Sequence, residues 1–297
     1  MKQNDRTKIG TRVSLISIVI NLVLSFAKFI FGFLGHSAAL ISDGVHSASD
    51  VVSSIIVIIG IRLSGKKADT HHQYGHERIE CVASIILSQL LFLTGLGIGY
   101  TGIKAIFWEP EASIQIPAFI TLIMAFVSIV IKELMYQFTK FYAKKINSSA
   151  LMADAWHHRS DALSSVASLI GIFFARMGYV KMDSISSAVI SIFIIKVAYD
   201  IFKDSIDKMI DESCSKEEIK KLTSSIMETK GVYRLDDLKS RKFGNRAYID
   251  IEISCDGNLK LYEAHSIAEK VHAKIEKEFP DIKHCMVHVN PISKLKN

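Results

Sequence analysis

Six apolar stretches, at residues 13–34, 38–63, 81–107, 116–138, 150–177 and 184–202, are each long enough to cross about 30 Å of hydrocarbon, which takes roughly 20 helical residues. Inside hydrocarbon no water satisfies backbone N–H and C=O groups, so segments of this length have to form helices that bond within themselves. The chain therefore reads as a membrane protein with a bundle of six transmembrane helices. The first stretch follows a polar, basic start; it is too long for a signal-peptide core and lacks a small-residue cleavage site, so it is expected to stay as the first span. Across 297 residues the mean hydropathy is +0.27 while 22% of residues are charged, a mixture that suggests a soluble part joined to the membrane part.

Lysine and arginine set the orientation. Lys2, Arg6, Lys8 and Arg12 precede span one, Lys66, Lys67 and Arg78 separate spans two and three, and Lys140, Lys144 and Lys145 separate four and five. The opposite connections, around His36 and residues 108–115, carry almost none, and the last carries only Arg176 and Lys181. Both termini are therefore expected in the cytoplasm of a multi-pass protein of the cell membrane. The net charge of +6 has its origin in these runs, which are topology signals rather than a nucleic-acid surface. The 4 cysteines, Cys81, Cys214, Cys255 and Cys285, form no CxxC pair and read as reduced cytosolic thiols.

From about residue 207 the pattern becomes soluble, which gives a division into a transmembrane domain at 1–206 and a cytoplasmic domain at 207–297. Residues 215–229 and 261–279 read as helices, and 236–243, 247–254 and 282–289 as strands, the first two meeting at Gly244-Asn245. The order αββαβ predicts a small α+β, ferredoxin-like domain. Alternation in the last strand puts His284, Met286 and His288 on one face and Cys285, Val287 and Val289 on the other.

Spans two and five carry the same motif, DxxHxxSDxxSS, once from Asp43 to Ser54 and once from Asp154 to Ser165. In each, histidine and aspartate stand four residues apart, on one helix face: His46 with Asp50, His157 with Asp161. At 1.5 Å per residue His46 and Asp50 lie about 12 and 18 Å from the outer end of span two, and His157 and Asp161 the same depths from the inner end of span five. The spans run antiparallel, so His46 is level with Asp161 and His157 with Asp50. Ionisable groups inside a membrane are costly and usually functional, and two facing carboxylates repel unless a cation neutralises them. Two nitrogens and two oxygens in tetrahedral array suit zinc; cadmium, iron(II), manganese(II) and cobalt(II) stay open, and the lack of a thiolate argues against copper(I). His158 and Arg159 point away from this stripe, and Asp43 and Asp154 read as helix-end acids.

At these residues the sequence resembles the cation diffusion facilitator family, metal–proton antiporters with six spans and a cytoplasmic ferredoxin-like domain, usually homodimers. The resemblance implies that His46, Asp50, His157 and Asp161 form the transport site, with zinc as the transported substrate and a regulatory ligand, and protons as counter-ion. A second matching stretch, Asp69-Thr-His71-His72-Gln-Tyr-Gly-His76, implies a loop metal site at Asp69, His72 and His76, where His71 could substitute; a solvated His-rich loop is the alternative. A third implies cytoplasmic-domain ligands at Asp236, Glu252, His265 and His288, with Asn290 where an acid is common. His272 and His284 read as surface residues. A membrane metalloenzyme would need an open metal position and a general base, and no HExxH-like motif occurs, so the chain is not read as an enzyme. A non-transporting metal sensor or scaffold, for which the intramembrane quartet would be dispensable, is the other alternative.

Overall fold

The computed structural model describes residues 3–34, 38–108, 119–176 and 182–292. Residues 35–37, 109–118 and 177–181, and the side chains of Asp43 and His46, lie outside that description. Six long helices come first: α1 (Gln3–Leu34), α2 (Ala38–Ser64), α3 (Ile79–Trp108), α4 (Phe119–Lys145), α5 (Ser149–Arg176) and α6 (Met182–Met209). Then follow α7 (Lys216–Met227), β1 (Arg234–Phe243), β2 (Arg246–Asp256), α8 (Leu261–Glu278) and β3 (Ile282–Ile292). The chain divides into two compact units, Met1–Ser205 and Ile206–Asn297.

The first unit is built inside out relative to a water-soluble protein. On α1 the buried face is Ser14, Ser17, Asn21, Ser25 and Lys28, at helical spacing, while Leu15, Val19, Leu22, Val23 and Phe26 are 48–68% exposed. A helix that hides serines and presents leucine and phenylalanine is complementary to hydrocarbon, not to water. Within Asp5–Phe31 of α1 and Ile79–Lys104 of α3, 18-residue windows reach mean hydropathies of 2.2 and 2.1. The helices α2, α4 and α5 are diluted by charged residues, and those charges are buried: Asp50, Lys132, Asp154 and Asp161. Small polar contacts tie α1 to α2, where Lys28 Nζ donates to Ser47 Oγ at 2.8 Å and Ser25 Oγ to the Gly44 carbonyl at 2.8 Å. On the other side α6 packs through Ile194 and Ala198 against Leu91 of α3 and Trp156 of α5.

One buried arginine fixes the common end of the bundle. Arg6 pairs with Glu80 at 2.5 Å, and its Nε donates to the Ile146 carbonyl at 2.8 Å. The starts of α1 and α3 and the end of α4 therefore meet at one face, the face that carries the basic loops. Beneath it Val57, Ile61, Leu87, Ala150 and Leu151 form a dry cluster.

The second unit is a sheet of order β1-β2-β3 with β1 antiparallel and β3 parallel to β2. Its first helix, α7, starts with a capping box: Ser215 Oγ accepts the Glu218 N–H and the Glu218 carboxylate accepts the Ser215 N–H. The β1–β2 turn needs a left-handed residue, supplied by Gly244 at φ 62°. Ile249, Ile251 and Ile253 of β2 pack against Ile267, Val271 and Ile275 of α8 and Leu222 and Ile226 of α7. This is the expected αββαβ order, and along β3 Cys285 is buried while His284, Met286 and His288 are exposed.

Removing Glu80 would leave the Arg6 guanidinium buried without its counter-charge, a change that costs roughly 3–5 kcal/mol. Glu80→Ala is expected to lower the thermal unfolding midpoint of the detergent-solubilised chain, whereas Glu217→Ala, at an exposed position of α7, serves as the comparison; equal midpoints for parent and Glu80→Ala would refute the clamp.

Candidate functional site

The repeated motifs place their acids on facing surfaces of α2 and α5. His157 Nε2 lies 3.2 Å from Asp50 Oδ1, and ligand atoms of Asp50, His157 and Asp161 all fall within 4.8 Å of one another. All three side chains are buried. Four-residue spacing makes this possible, since it stacks His157 over Asp161 along one face of α5. His46 stands one turn before Asp50 on α2; its side chain, and with it the expected pairing to Asp161, lies outside the described residues.

A fourth group enters that the motifs do not contain. Lys132 of α4 reaches between the two acids, its Nζ 2.5 Å from Asp50 Oδ2 and 2.9 Å from Asp161 Oδ2. An ammonium there neutralises part of the carboxylate repulsion that a divalent cation would otherwise have to offset. The sequence signal was present: Lys132 interrupts the apolar run Ser-Ile-Val-Ile before it, and a lone intramembrane lysine points to a paired acid.

One turn toward the basic face, Asp154 departs from the helix-end reading. Helix α5 already starts at Ser149, so Asp154 sits inside it, fully buried, accepting from Ser53 Oγ at 3.1 Å and lying 3.5 Å from His158 Nε2. His158 is accordingly an interior partner of Asp154. Arg159 points elsewhere, over the Tyr136 ring at 4.4 Å.

The loop between α2 and α3 brings its own three residues together. Asp69 Oδ1 accepts the backbone N–H groups of His71 and His72, a local turn that draws the chain back on itself. Asp69 oxygens then lie 3.4 Å from His72 Nδ1 and 3.3 Å from His76 Nε2. Donor atoms held about 2.0–2.1 Å from a tetrahedral zinc are about 3.3 Å apart, the size of both Asp69–histidine separations, and ligand atoms of all three residues fall within 4.8 Å of one another. The His72 N–H, with smaller help from the His71 N–H and the His76 charge, holds the Asp69 carboxyl below its ordinary range, keeping it an anion. His71 contributes its backbone and is not among the converging ligand atoms.

Comparison with known proteins places the chain in a family. Residues 14–210 match the cation efflux transmembrane domain and residues 214–292 the cation efflux protein cytoplasmic domain. The chain belongs to the cation diffusion facilitator family. Over 97% of this chain and 98% of the relative it is 31% identical to the manganese efflux system protein MneP of Bacillus subtilis, and over 98% and 99% it is 35% identical to MneS of the same organism. It is also 35% identical, over 93% of this chain and 96% of the relative, to the uncharacterized transporter MJ0449 of Methanocaldococcus jannaschii. This cation diffusion facilitator is thus a multi-pass membrane protein that exports a divalent metal, is not an enzyme, and carries a cytoplasmic domain whose family pairs it into a homodimer.

In the cytoplasmic domain of this facilitator the four expected ligands do not converge within one chain. A bulge between Leu235 and Asp237 turns Asp236 out of the ladder, where it accepts from Ser254 Oγ at 2.5 Å, Asn290 Nδ2 at 3.0 Å and Arg234 Nε at 2.6 Å. Those bonds, Ser254 first, hold its carboxyl down to about 2. A depressed carboxyl contributes stability above its unfolded value of about 3.9 that is lost only as pH falls toward 2, so the contribution is constant across cytoplasmic pH. Glu252 and His288 are register neighbours on β2 and β3, and His265 of α8 lines the same groove as His288.

If the Lys132 ammonium competes with the transported metal for Asp50 and Asp161, Lys132→Met makes the metal-free chain less stable and the metal-loaded chain relatively more so. The expected result is a larger rise of the unfolding midpoint on adding manganese(II) or zinc to Lys132→Met than to the parent. Equal rises would show that the ammonium and the metal do not share the carboxylates.

Proposed function

We propose that this chain exports manganese(II), with zinc as the second substrate, by proton antiport across the cell membrane, and that Asp50, His157 and Asp161, with His46, hold the ion in transit. The observation that carries the transit site is the convergence of two carboxylates and an imidazole on buried faces of α2 and α5, with Lys132 between the acids. Nothing in a purely structural helix contact requires three anionic or basic groups within ligand distance in hydrocarbon. The order of metals rests on different grounds. Two relatives similar over nearly their whole length are named for manganese efflux, which favours manganese; the imidazole–carboxylate donor set favours zinc.

Proton coupling follows from charge. Two carboxylates and one ammonium sum to −1, and a divalent ion added to them leaves +1 in a medium that tolerates net charge poorly. Metal binds neutral imidazole and ionised carboxylate, so loading expels protons from the ligand set, and protonation from the far side helps release the ion. Alternating access then converts an inward proton gradient into metal efflux. The Asp69, His72 and His76 triangle serves as a second, cytoplasmic metal site, exposed enough to follow the metal level there. Binding at that site favours the transport-competent state if that state binds the metal more tightly.

Reconstituted in liposomes with a pH-sensitive dye inside, the parent chain is expected to move protons in response to manganese(II), less or equally to zinc, and not to magnesium. Asp50→Ala and Asp161→Ala should abolish the response, a loss of at least about a hundredfold as expected for removing a ligand-set charge. Undiminished flux in both variants would sink the transit-site assignment, while flux with zinc alone would reverse the order of metals.

A further inference from the structure

The last helix and last strand of the cytoplasmic unit bring together three side chains that the family's ligand positions do not include. His272 and Glu276 are four residues apart on α8, so they share a face, and that face overlooks His284 on β3, the edge strand of the sheet. His272 Nε2 lies 3.3 Å from Glu276 Oε1, His284 Nδ1 lies 3.5 Å from the same oxygen, and the two rings are 5.5 Å apart. The three ligand atoms fall within 4.8 Å of one another.

The other nitrogen of His272 decides how this cluster is read. Its Nδ1 is 2.7 Å from the Cys285 carbonyl, and a carbonyl only accepts, so Nδ1 carries the hydrogen. In the neutral ring the Nε2 lone pair then points at a carboxylate oxygen, two acceptors face to face. Something positive has to stand between them, either a second proton on the ring or a metal ion. An imidazole that donates its far N–H to a backbone carbonyl while aiming the near nitrogen at a carboxylate is how metal-binding histidines are held. The separations of 3.3 and 3.5 Å also match the edge of about 3.3 Å between ligands on a tetrahedral zinc. The neighbouring Cys285 thiol is no ligand: it is buried on the opposite face, and burial, with the charges of Glu276 and Asp250, pushes it up to about 12.

We propose that His272, Glu276 and His284 form a metal site within a single protomer, binding a divalent transition ion such as zinc through two imidazoles and one carboxylate. Three protein ligands leave a fourth position for water, so the ion is exchangeable, and binding it ties α8 to the open edge of β3. The site uses none of the membrane ligands and holds whichever metal the bundle exports.

The test uses the full chain in detergent and zinc itself. In the parent, modification of His272 and His284 by diethylpyrocarbonate, read residue by residue by mass spectrometry, should slow several-fold when zinc is added; Tyr233, exposed, modified by the same reagent and outside every candidate metal site, is the internal reference. Glu276→Gln and His284→Asn should each bind one zinc fewer per chain at low micromolar free zinc, or bind it at least about tenfold more weakly. Modification of His272 and His284 that is indifferent to zinc in the parent would overturn the proposal, and this readout stands whether or not the variants fold. Proton flux measured on the same preparation separates this outcome from a failure of the transport reading.

Discussion

The contact on which the membrane unit depends is the Lys132 ammonium between the Asp50 and Asp161 carboxylates. Three helices supply the three charges, α2, α4 and α5, and none of them could place its own charge in hydrocarbon without the others. The remaining architecture is arranged around that necessity. The polar faces of α1, α2 and α5 turn inward, rich in serine, so that small side chains let the helices approach and satisfy each other's hydroxyls. The apolar faces turn outward, where in a soluble protein they would be an aggregation surface. Arg6 and Glu80 do at the basic end what Lys132 does within the bundle, holding a charge in a buried place by pairing it.

The His/acid clusters of the loop and of the cytoplasmic unit obey different physics. In the loop Asp69 and His72 are exposed and only His76 is buried, and in the second unit His272, Glu276 and His284 are half-buried or exposed, so water reaches each cluster when no ion is bound and no built-in counter-ion is needed. Their ligands are held by local backbone bonds instead: Asp69 by two N–H groups of its own turn, His272 by the carbonyl of Cys285. Sites of this kind, as proposed here, would fill and empty with cytosolic metal. The membrane site cannot work that way, because emptying it without a replacement cation would expose two carboxylates to hydrocarbon.

This difference explains what was legible in the sequence. The helices, the αββαβ order and the paired His/Asp motifs are written in periods of 3.6 and 2 and in run lengths, which local sequence carries directly. Asp50, His157 and Asp161 follow from spacing within a helix plus the antiparallel order of spans. Lys132 needed a third helix brought alongside, and only its oddity as a lysine in an apolar run pointed to it. The inward turn of Asp154 depended on where α5 begins, since the five helical residues before it decide whether an acid caps a helix or is buried in it. His272, Glu276 and His284 were least legible of all. The i, i+4 pair is visible on α8, but His284 joins it only through the approach of a helix to a strand edge, and exposed histidines carry no mark of that approach.

Lys132 also bears on why transport would be coupled rather than leaky. A site of two bare carboxylates would be most stable when filled, and the ion would have little reason to leave. A tethered ammonium gives the empty site its own neutral-leaning arrangement, so in the proposed transit site metal entry would displace a cation and metal exit would be met by one returning. The ion is then exchanged between two cations of comparable claim on the same oxygens, which keeps binding weak enough for release on the far side. In the proposed antiport, protons arriving at His157 would add to this displacement, because a ring that gains a proton loses its lone pair for the metal while its charge still satisfies Asp50, 3.2 Å away. Both events leave the carboxylates paired at every stage, and that pairing is what a hydrocarbon interior demands of any ion pathway built from aspartates.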